Sequence, residues 1–214
     1  MFRQVVIVGI MFVCSIGLKA DYSPLRLYDM IISADKIVYG EIVSIGHEKF
    51  TLKVEKSFLG DEDEIVINKF KNWTCAHRWV EYELGQKALF FLRENEDGLF
   101  IKSAGNEGEM PVFDDRVYVN MGILHYYPDT VYISEEKHQF RNTLNHEVYG
   151  GRYYGYKFHI DEFFQVVHHI RTCITFQEKE KNYAVQCQQQ KLNRIIDQFA
   201  VFKWVYETLK LKQN

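Results

Sequence analysis

Phe50, Leu52 and Val54 alternate with Thr51, Lys53 and Glu55. Strict alternation sends successive side chains to opposite faces, so this is a strand with one face buried and one face wet. Such a strand cannot stand alone, and its neighbours supply company. Residues 36–45 are rich in β-branched side chains, with Gly40 marking a bulge or tight bend. Leu59, Gly60 and Asp61 make a turn, and residues 65–70 form a third strand. Gly85 leads into residues 87–92, a continuous apolar run expected of a central strand. Asp97-Gly98 is a hairpin signal, and residues 99–103 return as the fifth strand. Five short strands, mostly joined by tight turns, predict a small antiparallel barrel, with a curved open sheet as the alternative.

Helices are expected at both ends of this β region. Ser23 followed by Pro24 is a helix start, and Leu27, Met30 and Ile31 continue it at helical spacing to about Ala34. Beyond residue 105 the pattern changes. Residues 117–119, 123–127 and 131–133 suggest further short strands, and residues 150–156 a Gly/Tyr-rich loop. Ile160, Phe163, Phe164, Val167 and Ile174 form one apolar stripe. Leu192, Ile195, Ile196, Phe199, Phe202, Tyr206 and Leu209 form a longer one. The expected class is mainly β (α+β overall): a five-stranded barrel over residues 21–105, then an extension over 106–214 with short strands and two C-terminal helices. The 14 Tyr and 16 Phe against 3 Pro favour order over disorder.

The first 20 residues predict export. Arg3 precedes an apolar run over residues 5–13 that weakens to Leu18 and ends at Ala20, before polar Asp21, Tyr22 and Ser23. That order of charge, apolar run and small residue is a secretory signal, too short for a comfortable span. Cleavage is expected after Gly17 or Ala20. Val13 stands before Cys14 where a lipoprotein signal wants a small residue. No second run is long enough to cross a membrane, so no integral span is expected after cleavage. The net charge of −3 becomes −5 once Arg3 and Lys19 leave. A mildly acidic chain argues against nucleic acid as a partner. The expected location is secreted or periplasmic.

Export permits disulfides, and Cys75, Cys173 and Cys187 remain after cleavage. Three pairings are open. Cys173 with Cys187 is favoured, closing the link between the two predicted helices at about 3 kcal/mol. A bridge from Cys75 to the C-terminal part, or three reduced thiols, are the alternatives.

Residues 33–43 (SADKIVYGEIV), the strand at 50–54, the turn Phe58-Leu59-Gly60-Asp61, Cys75 and residues 85–92 (GQKALFFL) resemble the netrin-like domain. That domain is the OB-fold barrel shared with tissue inhibitors of metalloproteinases and many exported bacterial proteins. The resemblance spans roughly residues 23–105 and implies an OB-like barrel used for binding. Those inhibitors begin with a cysteine whose amino group and carbonyl chelate the protease zinc. Here the expected mature start is Asp21 or Leu18, so that mechanism has no residues to carry it, and their dense disulfide framework is missing.

Candidate site residues follow from exposed aromatic chemistry. Trp73 and Trp79, with His77 between them, lie in the connection after the third strand and are expected anchors for a partner. Tyr153 and Tyr154, set among Gly150, Gly151 and Gly155, are further candidates. Cys75 and His77 allow a thiol–imidazole reading, but no third group is assignable. His146, His159, His168 and His169 are not expected to share a zinc ion, because the adjacent His168 and His169 point about 100° apart on a helix. Acidic residues 61–64 form a solvated turn without a calcium-loop spacing. Asn72-Trp73-Thr74 is a glycosylation sequon where the source has that machinery. No cofactor and no catalytic residue is expected. The expected function is non-catalytic recognition of a protein or cell-envelope partner. The alternatives are a protease inhibitor acting by loop insertion and a secreted enzyme using Cys75 and His77 or a histidine-bound metal.

Overall fold

A computed structural model describes residues 25–74, 76–104, 107–124, 145–179 and 182–213. The expected signal, the Ser23-Pro24 start, Cys75 and the strand expected at 131–133 lie outside them.

Helix α1 (Leu27–Ser33) precedes five strands: β1 (Lys36–Ile45), β2 (Lys49–Phe58), β3 (Glu64–Asn68), β4 (Lys87–Asn95) and β5 (Gly98–Ile101). Their order is β1-β2-β3-β5-β4, and β4 pairs back onto β1, so the barrel closes. This is the OB-like order. Four of the pairings are antiparallel. The β3–β5 seam is parallel and short, with Ile67 opposite Leu99 and Asn68 opposite Phe100. Gly40 is itself paired: the extra residue of the bulge beside it is Glu55 on β2, and β1 carries its own extra residue at Val43, while the glycine serves a close approach of the two strands. The β1–β2 register slips between Tyr39 and Gly40, and a Cβ at Gly40 would lie 2.1 Å from the Lys53 carbonyl oxygen.

The sheet does not stop at the barrel. β6 (Glu109–Phe113) pairs with β4, and β7 (Arg116–Asn120), β9 (Gly151–His159) and β8 (Asn145–Val148) extend it outward in that order. The short α2 (Met121–Leu124) follows β7. It takes up Ile123, where the sequence predicts a strand. Helix α3 (Ile160–Cys173), the hairpin β10 (Ile174–Gln177) and β11 (Asn182–Val185), then α4 (Gln189–Gln198) and α5 (Ala200–Gln213) complete the chain. The second apolar stripe thus runs through two helices that part at Phe199, whose backbone is extended.

Two cores share β1 and β4. Val38, Ile42, Phe50, Leu52, Ala88, Phe90 and Leu92 fill the barrel. Ile37, Tyr39, Leu89 and Phe91 point the other way, into a second core with α1, β7, α3, α4 and α5. A strand buried on both faces needs a continuous apolar run, which is why residues 88–92 show no polar alternation.

Residues 151–156, expected as a loop, are strand β9. Their glycines serve close packing. A Cβ at Gly155 would sit 2.1 Å from the Val119 carbonyl oxygen, and one at Gly151 would sit 2.7 Å from that of Trp79. No helix among the described residues is long and apolar enough to cross a membrane.

Candidate binding surface

The connection between β3 and β4, residues 69–86, contains little regular structure but one dense polar anchor. Arg78 and Glu109 are both buried. Arg78 Nε and Nη2 donate to Glu109 Oε1, the former at 2.9 Å. Nη2 also donates to Gln86 Oε1 at 2.9 Å. Nη1 donates to the Val80 carbonyl and, at 2.9 Å, to that of Glu81. The guanidinium carbon lies 4.0 Å from the Trp79 ring centre and 3.8 Å from that of Tyr82. Taking two charges out of water costs several kcal/mol per ion, and this arrangement offsets it through nearly complete satisfaction of donors and acceptors.

The network extends to the barrel. Tyr82 donates its hydroxyl proton to Glu109 Oε2 at 3.0 Å and accepts from the Phe70 N–H at 3.0 Å. Its ring stacks on Phe50 of the barrel interior at 5.0 Å. Burial, reinforced by the Glu109 charge, pushes the Tyr82 hydroxyl up, so it stays a neutral donor. At the other end the Arg78 N–H donates to Asn72 Oδ1 at 2.8 Å. Trp73 and Ala76 exchange backbone hydrogen bonds at 2.9 and 3.0 Å, which shape the tip of the connection.

The candidate residues fall into different settings. Trp73 is 43% exposed, and His77 beside the clamp is exposed too. Trp79 is half-buried, 6.0 Å from the Tyr149 ring, and its buried Nε1 has no hydrogen-bond partner among the described residues. Tyr153 is 3% exposed and packs with Tyr118 and Val148. Tyr154, its neighbour on β9, faces the other way at 46% exposure. The loop tip therefore presents Trp73 and His77, while Trp79 and Tyr153 hold the connection and the outer strands together.

Two grooves flank residues 69–71. One, of about 470 Å³, runs between that segment and β5, with Lys69, Lys71, Arg93, Phe100 and Asp97 in its walls. The other, of about 370 Å³, lies toward His47, Asn72, Val80 and Tyr82. The β1–β2 turn supplies Glu48 to both, and the β4–β5 turn supplies Asp97. Those two turns and the β2–β3 face are where OB barrels hold ligands.

His146, His168 and His169 each pack against an aromatic ring. His146 packs on the Tyr118 ring at 5.0 Å, with Nε2 3.1 Å from the Gly155 carbonyl oxygen. His168 and His169 sit on α3 against Phe58 and Phe199 respectively. No group of three metal-binding side chains occurs among the described residues. Cys173 and Cys187 are joined by a disulfide, with Cα atoms 4.8 Å apart, at the base of the β10–β11 hairpin.

The chain matches no family model, no curated protein and no solved structure.

Arg78, Glu109, Lys69 and Arg93 were not among the sequence candidates. Arg78 and Glu109 lie 31 residues apart, so no local spacing joins them. The available signal was an acid opening the apolar strand at 109–113 and an arginine between His77 and Trp79.

Proposed function

We propose that this protein is exported and works there as a non-catalytic binding module, recognising a protein or cell-envelope partner through the connection at residues 69–86. The observation that carries the reading is the Arg78–Glu109 clamp. An exposed tip bearing Trp73 and His77 is anchored from beneath by a buried, hydrogen-bonded ion pair. Ordering a loop before its ligand arrives removes entropy that binding would otherwise have to supply. A buried charge pair is a poor source of stability compared with apolar packing, which points to a role in shape. The grooves beside the loop sit where OB barrels present their ligand face. The netrin-like resemblance of residues 23–105 supports the same use by analogy of fold. The apolar N-terminal run supports export.

The test is capture from the native envelope or secreted fraction, followed by rebinding of the purified partner. Wild type is compared with Trp73→Ala plus His77→Ala, two exposed positions, with the fold of the variant checked by circular dichroism. A partner held by the wild type and lost by the variant supports the reading. Equal capture by both, or none by either, removes the loop from the function.

A further inference from the structure

β3 ends its ladder at Asn68, but the chain keeps its course a little longer. The Lys69 N–H donates to the Glu48 carbonyl at 2.8 Å. Phe70 packs on the barrel core, while Lys69 and Lys71 flank it and line both grooves. Across the larger groove stands Arg93, on the outer face of β4, opposite Phe100 in the β4–β5 ladder. Its guanidinium carbon is 5.6 Å from the Phe100 ring centre, and Lys69 Nζ is 5.8 Å from that of Tyr82.

These cations are available to a ligand. Neither Lys69 nor Arg93 forms an ion pair among the described residues. Lys71 is paired with Glu48 at 3.1 Å, but both side chains are largely exposed, and such pairs hold weakly enough to exchange. The acids in the walls of the larger groove are Glu48 and Asp97, so three cations face two acids. That local positive excess stands on a chain whose net charge is −3. It selects an anionic ligand at short range against the field of the whole molecule.

Spacing narrows the class. Residues two apart in an extended chain lie on one side, about 6.5–7 Å apart. Lys69 and Lys71 stand two positions apart and both line the groove, as alternate acids of an extended polypeptide would. We infer that the groove between residues 69–71 and β5 takes an extended acidic polypeptide segment. Alternate carboxylates meet Lys69 and Lys71, and Arg93 closes from the opposite wall. The inference names the partner chemistry for the binding function proposed above and rests on it.

The full chain is titrated at low salt with three labelled ten-residue peptides, read by fluorescence polarisation. One alternates aspartate and alanine, one carries the same aspartates in a block, and one alternates serine and alanine. The alternating acidic peptide binds best and loses affinity as salt rises. Lys69→Gln plus Arg93→Gln weakens it at least about tenfold with an unchanged melting temperature. Equal binding of the block peptide overturns the extended geometry. No binding of the alternating peptide, or equal binding by the variant, overturns the inference. Binding of polygalacturonate at these residues without the peptide assigns the groove to an acidic glycan and also overturns it. If the peptides fail while native-partner capture still depends on Trp73 and His77, this inference alone falls. If capture fails as well, both fall.

Discussion

Arg78 is the residue on which the candidate surface depends. Its guanidinium serves Glu109, Gln86 and two carbonyls at once, between two aromatic rings. Removing one partner of a buried pair leaves the other charge stranded. Arg78→Met is therefore expected to lower stability by about 3–5 kcal/mol in urea denaturation. Adding Glu109→Leu should recover much of that loss, because no buried charge remains. A single-variant cost below about 1 kcal/mol would show that water reaches the pair. Tyr82→Phe removes a donor from Glu109 and an acceptor from Phe70, at an expected cost of about 1–3 kcal/mol.

Among the elements, the α3–α4–α5 junction carries a pH dependence. His169 lies on α3 with its ring 5.2 Å from Phe199, at the break between α4 and α5, and its buried Nδ1 has no hydrogen-bond partner among the described residues. Burial, then the neighbouring His168 and Lys191, hold it below the usual imidazole range. Burial does the same at His146, against the Gly155 carbonyl hydrogen bond. The sign follows from proton uptake. Near and below pH ~6.5 the unfolded chain takes up protons that the folded chain refuses, so stability falls as pH drops. The melting temperature should decline from pH 7 to 5, and His169→Gln should flatten part of that slope. An unchanged slope would mean that His169 titrates alike in both states. The neighbouring β10–β11 hairpin is stapled by Cys173 and Cys187, 14 residues apart. Cys187→Ser is expected to cost about 3 kcal/mol by thermal unfolding. Hydrogen exchange should quicken first in that hairpin.

At the scale of the molecule, the barrel and its helical cover share two strands. β4 sends Phe90 into the barrel and Phe91 into the outer core, both fully buried. Neither core can be lost without disturbing the strand that also lines the other. Calorimetry should show one transition, with van't Hoff and calorimetric enthalpies in agreement. Phe90→Ala and Phe91→Ala should each lower its midpoint through a loss of about 3–5 kcal/mol. Two separated transitions, each moved by only one variant, would mean that the cores melt independently.

Much of this architecture was readable along the chain. The alternation at residues 50–55 and the double-sided apolar run at 87–92 each depend on neighbours within a few residues. They located β2 and β4, and with the turns they pointed to a five-stranded barrel. Helical stripes likewise announced α3 and the region of α4 and α5. Other features depend on residues far apart in sequence. The parallel β3–β5 seam brings Ile67 to Leu99. The glycines at 151 and 155 looked like loop residues until Trp79 and Val119 carbonyls filled the space a side chain would need. Strand alternation then turns Tyr153 inward and leaves Tyr154 outside. No glycine or proline near Phe199 marks the helix break, where the Phe199 ring packs against His169 on α3. The Arg78–Glu109 clamp and the meeting of Lys69 with Arg93 at one groove follow the same logic. Periodicity is a short-range property that one strand or helix can express alone, whereas a site is assembled from side chains that only closure of the sheet brings within reach.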